Sequence, residues 1–124
     1  MAAGDGDKDM DANKAADVIE RLYGVIESRR GTDPKTSYTA SLFAQGTKHI
    51  ARRVGEEALE LVLEAVRGDK EKLTLESADL IYHLLVLWAD RGIEPADVWA
   101  ELIRREGTSG IAEKKSRPGK APAG

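Results

Sequence analysis

The stretch VGEEALELVLEAV, Val54 to Val66, decides how this chain is read. Its residues fall at helical spacing and are apolar on most sides, yet it carries Glu56, Glu57, Glu60 and Glu64. On a wheel of about 100° per residue, Ile50, Val54, Ala58, Leu59, Leu61, Val62, Leu63 and Val66 spread over well more than half the circumference. The narrow remainder holds Arg53 and the glutamates. A surface helix normally has a wide polar face of mixed sign. Here the face is narrow and mostly acidic, and like charges at i,i+4 each cost roughly a few tenths of a kcal/mol if uncompensated. The expectation is a helix for a bundle core, carrying acids that need a partner.

Downstream lies ESADLIYHLLVLWAD, Glu76 to Asp90. Glu76, Asp79 and His83 share a face at i, i+3 and i+7, among Leu73, Leu75, Leu80, Ile81, Leu84, Leu85, Val86, Leu87 and Trp88. A helix apolar almost all round should be central. Buried carboxylates are costly unless paired, hydrogen-bonded or bound to metal. The first long helix is predicted from about Lys48 to Arg67 and the second from about Glu71 to Arg91, with GDKEK between them. So short a link makes the two antiparallel neighbours.

Such neighbours can bring their acids face to face: Glu57 and Glu60 against Glu76 and Asp79. That oxygen-only set, with no cysteine and one nearby histidine, suits a hard cation, Mg²⁺ or Mn²⁺, rather than Zn²⁺. Lys48, Arg52 and Arg53 lie one to two turns before the acids and are candidates to hold phosphate. For Arg52 a plain solvated position is the simpler reading. The competing account of the acids is a structural ion network with Lys48, Arg52 or Arg53. His83 reads as a satisfied core histidine or a partner of a ligand rather than a ligand.

Around this pair the remaining elements are short. Val18, Ile19, Leu22, Val25 and Ile26 give an amphipathic helix from about Ala12 to Ser28. GTDPKTS is a loop. SYTASLFAQ forms one or two turns capped by Ser37 or Thr39, and Gly46 breaks it, with Thr47 able to cap the next helix. Pro95 opens a last helix that stops at Gly107. The chain is therefore expected to be all-α, a bundle of about four to five helices around two long ones. Residues 1–11 read as a disordered tail, 12–107 as the domain, and 108–124 as a flexible basic tail, solvated or folding back over an anionic substrate.

Composition narrows the function. The 124 residues suffice for one domain with a core. With no cysteine there are no disulfides, which fits a cytoplasmic protein. A net charge of −3 argues against nucleic acid as the main partner. The N-terminus has no apolar run of a signal peptide, and LIYHLLVLWA is far short of the roughly 20 residues that span a bilayer.

SYTASLFAQGTKHIARRVGEEALE followed by ESADLIYHLLVL resembles the phosphoribosyl-ATP pyrophosphatase family, within the MazG-like all-α NTP pyrophosphatases. The resemblance covers about Val18 to Glu106. The superfamily's ExxE and ExxD are here Glu57–Glu60 and Glu76–Asp79; the SYT, GTK and YHLLVL runs narrow it to the family. It implies Mg²⁺-dependent hydrolysis of phosphoribosyl-ATP to phosphoribosyl-AMP and pyrophosphate, the second step of histidine biosynthesis, by a homodimer. It implies Glu57, Glu60, Glu76 and Asp79 as metal ligands, and Glu56, of the family's doubled Glu, as a further ligand or as the group that orients the attacking water. It also makes Lys48, Arg53, Tyr38 and Thr39 the substrate-binding candidates, with Arg53 standing where relatives often carry lysine. A stand-alone enzyme is expected, because no cysteines exist for a fused zinc cyclohydrolase. The dimer is expected to cover Leu85, Trp88 and their neighbours. Two other readings stay open: a house-cleaning (d)NTP pyrophosphatase, and a non-catalytic helical dimerisation module.

Overall fold

The computed structural model describes residues 14–118. Among these the fold is all-α: α1 (Val18–Ser28), α2 (Tyr38–Gln45), α3 (Thr47–Arg67), α4 (Lys70–Asp90), α5 (Pro95–Arg105) and α6 (Gly110–Ser116). The expected tail 1–11 and the start at Ala12 lie outside the described residues, as do residues 119–124.

The two long helices form an antiparallel hairpin, as the short link requires. Gly68 closes α3 at φ +79°, a left-handed conformation that side chains with a Cβ rarely adopt, and its N–H donates to the Glu64 carbonyl at 3.0 Å. The Asp69 carboxylate then accepts from the Lys72 N–H at 3.1 Å and starts α4. Glu57 and Asp79 each lie eleven residues from Gly68, so the turn itself sets them opposite one another.

Ser37 caps α2, accepting from the Ala40 N–H at 3.1 Å. Gly46 sits between α2 and α3 at φ +92°. Thr47 does not cap α3; it is the first helical residue, and its hydroxyl donates to Asp90 Oδ2 at 2.5 Å, tying the start of α3 to the end of α4.

The core gathers at that end of the hairpin. Ile26 of α1, Leu42 of α2, Ile50 of α3 and Leu85, Val86 and Ala89 of α4 are buried together. α4 touches α1, α2 and α3, the central place its apolar circumference implied. α5 joins through Trp99, which meets Trp88 edge-on at 6.1 Å and donates from Nε1 to Glu20 at 2.8 Å. Leu85 is thus fully covered and Trp88 partly so within one protomer, and the apolar surface left over lies elsewhere.

It lies on α3. Leu59, Val62, Leu63 and Val66 are exposed, Val66 to 81%, whereas Glu57 and Glu64 are 8% and 6% exposed. The expected burial of this helix's apolar flank is therefore not met within the protomer. Within the protomer α3 has one long neighbour, and the sector turned to α4 runs through Ile50, Arg53, Glu57, Leu61 and Glu64, which repeat at i, i+3, i+7, i+11 and i+14. Glu57 and Glu64 of the acidic stripe face in, Glu56 and Glu60 stay exposed, and much of the apolar stripe faces out.

The segment from Thr108, expected to be flexible throughout, contains α6. Ser109 caps it by accepting from the Ala112 N–H at 3.1 Å. Its Glu113 is buried and takes hydrogen bonds from Arg104 at 2.6 Å and Arg117 at 3.3 Å. A seven-residue helix held by ion pairs has no apolar period for sequence reading to find. No described helix is long and apolar enough to cross a membrane.

Candidate metal and substrate site

Midway along the hairpin, Glu57 of α3 and Glu76 and Asp79 of α4 each turn a carboxylate oxygen into one space, all within 4.8 Å of one another. Glu57 is buried, Glu76 half-buried and Asp79 exposed, so the group opens to solvent on one side. The Oε2 atom of Glu76 is buried with no hydrogen-bond partner. Burial pushes the Glu76 carboxyl above its ordinary range, and the charges of Glu57 and Asp79 push it further. A buried, unpartnered acceptor among like charges is a standing deficit of positive charge. Oxygen-only donors of this kind fit a hard divalent cation.

Glu60 is exposed and is not among the oxygens that converge, although its charge contributes to the shift of Glu76. Of the expected quartet, the fold brings three together. Glu56 is exposed and accepts from Arg53 Nη1 at 3.2 Å. Arg53 also donates from Nη2 to Glu57 Oε1 at 2.6 Å, one of the ion pairs that the structural-network reading had in view.

Two further polar residues of the hairpin are buried. Glu64, outside the converging group, is buried two turns further along the same sector; Arg67 donates to its Oε1 at 2.7 Å, while its Oε2 is buried without a partner. Its i+7 relation to Glu57 was the available signal. His83, 5% exposed, has both ring nitrogens engaged. Nδ1 lies 2.8 Å from the Asp79 carbonyl oxygen, which can only accept, so Nδ1 carries the hydrogen. Nε2 then accepts from the Tyr38 hydroxyl at 3.0 Å.

That bond fixes Tyr38, which is otherwise exposed, beside Arg53. Tyr38 also favours the charged form of Arg53, ahead of Glu56 and Glu57. Thr39 is turned away, onto the Tyr82 hydroxyl. Lys48 is exposed in the first turn of α3, about 13 Å along the helix from Glu57 at 1.5 Å rise per residue. Arg53 and Tyr38 border the group; Lys48 and Thr39 do not reach it here.

The fold and this site define a class: an all-α protein with three converging carboxylates, able to hold a cation, between two antiparallel helices. Residues 19–106 match the family described as phosphoribosyl-ATP pyrophosphohydrolase, and the chain belongs to that family. It is 63% identical over 103 residues to the phosphoribosyl-ATP pyrophosphatase of Azospirillum brasilense, covering 83% of this chain and 93% of that one. The enzyme of the same name from Paramagnetospirillum magneticum is 64% identical over 100 residues, 81% of this chain and 92% of that one. That of Gluconobacter oxydans is 57% identical over 101 residues, 82% and 76% respectively.

Proposed function

We propose that this chain hydrolyses phosphoribosyl-ATP to phosphoribosyl-AMP and pyrophosphate in histidine biosynthesis. The observation that carries the reading is the convergence of Glu57, Glu76 and Asp79 around an orphaned carboxylate oxygen, in a chain of this family. Glu57, Glu76 and Asp79 would hold Mg²⁺, or Mn²⁺ in its place, with Glu60 completing the shell on substrate binding. The cation supplies charge neutralisation for the phosphates and orientation for a water. In the reaction water oxygen bonds to the α-phosphorus, the α–β anhydride bond breaks, and its electron pair leaves on pyrophosphate. No covalent enzyme intermediate is needed. Arg53 and Tyr38 would bind phosphate or ribose oxygens, with Glu56 keeping Arg53 at the rim.

Pyrophosphate release from phosphoribosyl-ATP should require Mg²⁺ and exceed release from any member of a dNTP panel. Comparable or faster dNTP turnover would move the chain to the house-cleaning pyrophosphatases.

The apolar face of Leu59, Val62, Leu63 and Val66, with Leu75 and Ile81 of α4, supports a homodimer covering the outer half of the hairpin. Val66→Glu places a charge in that face and should give a monomer by light scattering; an unchanged dimer would remove this surface from the interface. A cytoplasmic location goes with the biosynthetic role.

A further inference from the structure

Arg53 occupies a peculiar position for a phosphate ligand. Its guanidinium is bonded at 2.6 Å to Oε1 of Glu57, one of the three converging carboxylates, and at 3.2 Å to Glu56, which lies outside them. The Glu57 side chain is 11% exposed, so the guanidinium is what satisfies one oxygen of a buried acid. A divalent cation in the cage needs the lone pairs of the same carboxylate, and it repels a neighbouring guanidinium. Both cations would draw on the one Glu57 carboxylate and repel each other across it. The Arg53 side chain is 30% exposed and the Glu56 side chain 52%, so the arginine has a way out and a carboxylate to rest against. Tyr38, fixed by His83, stands on the same flank.

We propose that Arg53 is the counterion of these carboxylates in metal-free protein: metal binding displaces it from Glu57, Glu56 retains it at the rim, and the freed guanidinium fork binds the substrate's phosphates. This explains why two consecutive glutamates are useful, Glu57 for the metal and Glu56 for the arginine. It rests on the metal-dependent reading given above. It assigns Arg53 to ordering the steps: the phosphate clamp is released only once the metal is in place. A planar fork with two separate donors can hold both acids at once, which a lysine ammonium does less well.

The direct test is nitrogen-15 NMR of arginine side chains in the full chain. Without metal, the Arg53 guanidinium signals should be resolved and protected from exchange. Saturating Mg²⁺ should abolish that protection, and pyrophosphate added to the Mg²⁺-loaded protein should restore it at a different shift. Calorimetry gives a second readout: Arg53→Met should bind Mn²⁺ alone about 3- to 10-fold more tightly than the parent chain, since a charge-assisted bond no longer has to be broken. Arg53→Lys should fall between the two. Protected signals that ignore Mg²⁺, or unchanged Mn²⁺ affinity in both variants, would overturn the exchange while leaving the hydrolase reading intact. Absence of both Mn²⁺ binding and turnover in the parent chain would remove the two together.

Discussion

Two carboxylate clusters in this molecule have opposite electrostatic balances. On the hairpin, Glu57, Glu76 and Asp79 converge with Arg53 as the nearby cation, and the Glu76 carboxyl is raised by burial and by its acidic neighbours. At the C-terminal end, Glu101 and Glu113 are surrounded by Arg104, Arg105 and Arg117. There the Glu101 carboxyl is held down at about 2, by Arg104 and then Arg105, and Glu113 is also lowered, chiefly by Arg104. The second cluster has its cations built in and fastens α6 to α5. The first is short of positive charge, which is what a site for an exchangeable cation requires. Proximity of acids is common to both; the balance of charge separates them.

The sharpest way to break the comparison is to remove a carboxylate from each cluster. Glu57→Gln should lower kcat/KM by at least about 100-fold, since even groups that merely support a metal ligand are worth 10- to 100-fold. Its metal-free melting temperature should hold or rise, because repulsion with Glu76 is relieved. Mg²⁺ should stabilise the parent chain, by about 2.7 kcal/mol at a hundred times its dissociation constant, and leave Glu57→Gln unmoved. A variant that keeps full activity would end the metal-site reading. Glu113→Ala should do the reverse: activity unchanged, a modest fall in melting temperature, and faster amide exchange confined to residues 110–116.

The smallest effect is in pH dependence, where the clusters have opposite signs. Glu101 is depressed in the folded state, so its stabilisation is present above the ordinary value of 4.5 and lost as pH falls toward about 2. Glu76 is raised, so in metal-free protein it favours folding below 4.5 and that contribution is lost as pH climbs through the elevated value. Melting curves without metal should show Glu101→Gln flattening the acid limb and Glu76→Gln flattening the limb above it. A slope of the same sign for both would contradict the contrast.

Much of this site was legible in the chain. The i,i+3 spacing of Glu76 and Asp79 and the short turn around Gly68 were enough to place Glu57 against them, because helical period and loop length are local properties. His83 was read as a satisfied histidine rather than a ligand, and its two hydrogen bonds bear that out. Glu64 lies outside the converging group, and its i+7 relation to Glu57 explains why it is nevertheless buried on the same side of α3. Glu60 carries the motif but sits exposed, a matter of about 60° around the helix from Glu57 that periodicity alone does not weigh. α6 was missed because its stability comes from Arg104 and Arg117, not from any apolar pattern of its own.

The sequence by itself determined an all-α chain with two long antiparallel helices, its acidic motif and its family, since these follow from period, turn chemistry and residue identity. Only the tertiary structure decided which side of α3 faces inward. A helix with one apolar and one acidic sector can bury either, depending on which neighbours exist. Here the face of α3 that meets α4 carries Glu57 and Glu64 among Ile50 and Leu61, which leaves a carboxylate cluster inside the hairpin and Leu59, Val62, Leu63 and Val66 outside it. In VGEEALELVLEAV two glutamates are buried while Leu59, Val62, Leu63 and Val66 stay exposed.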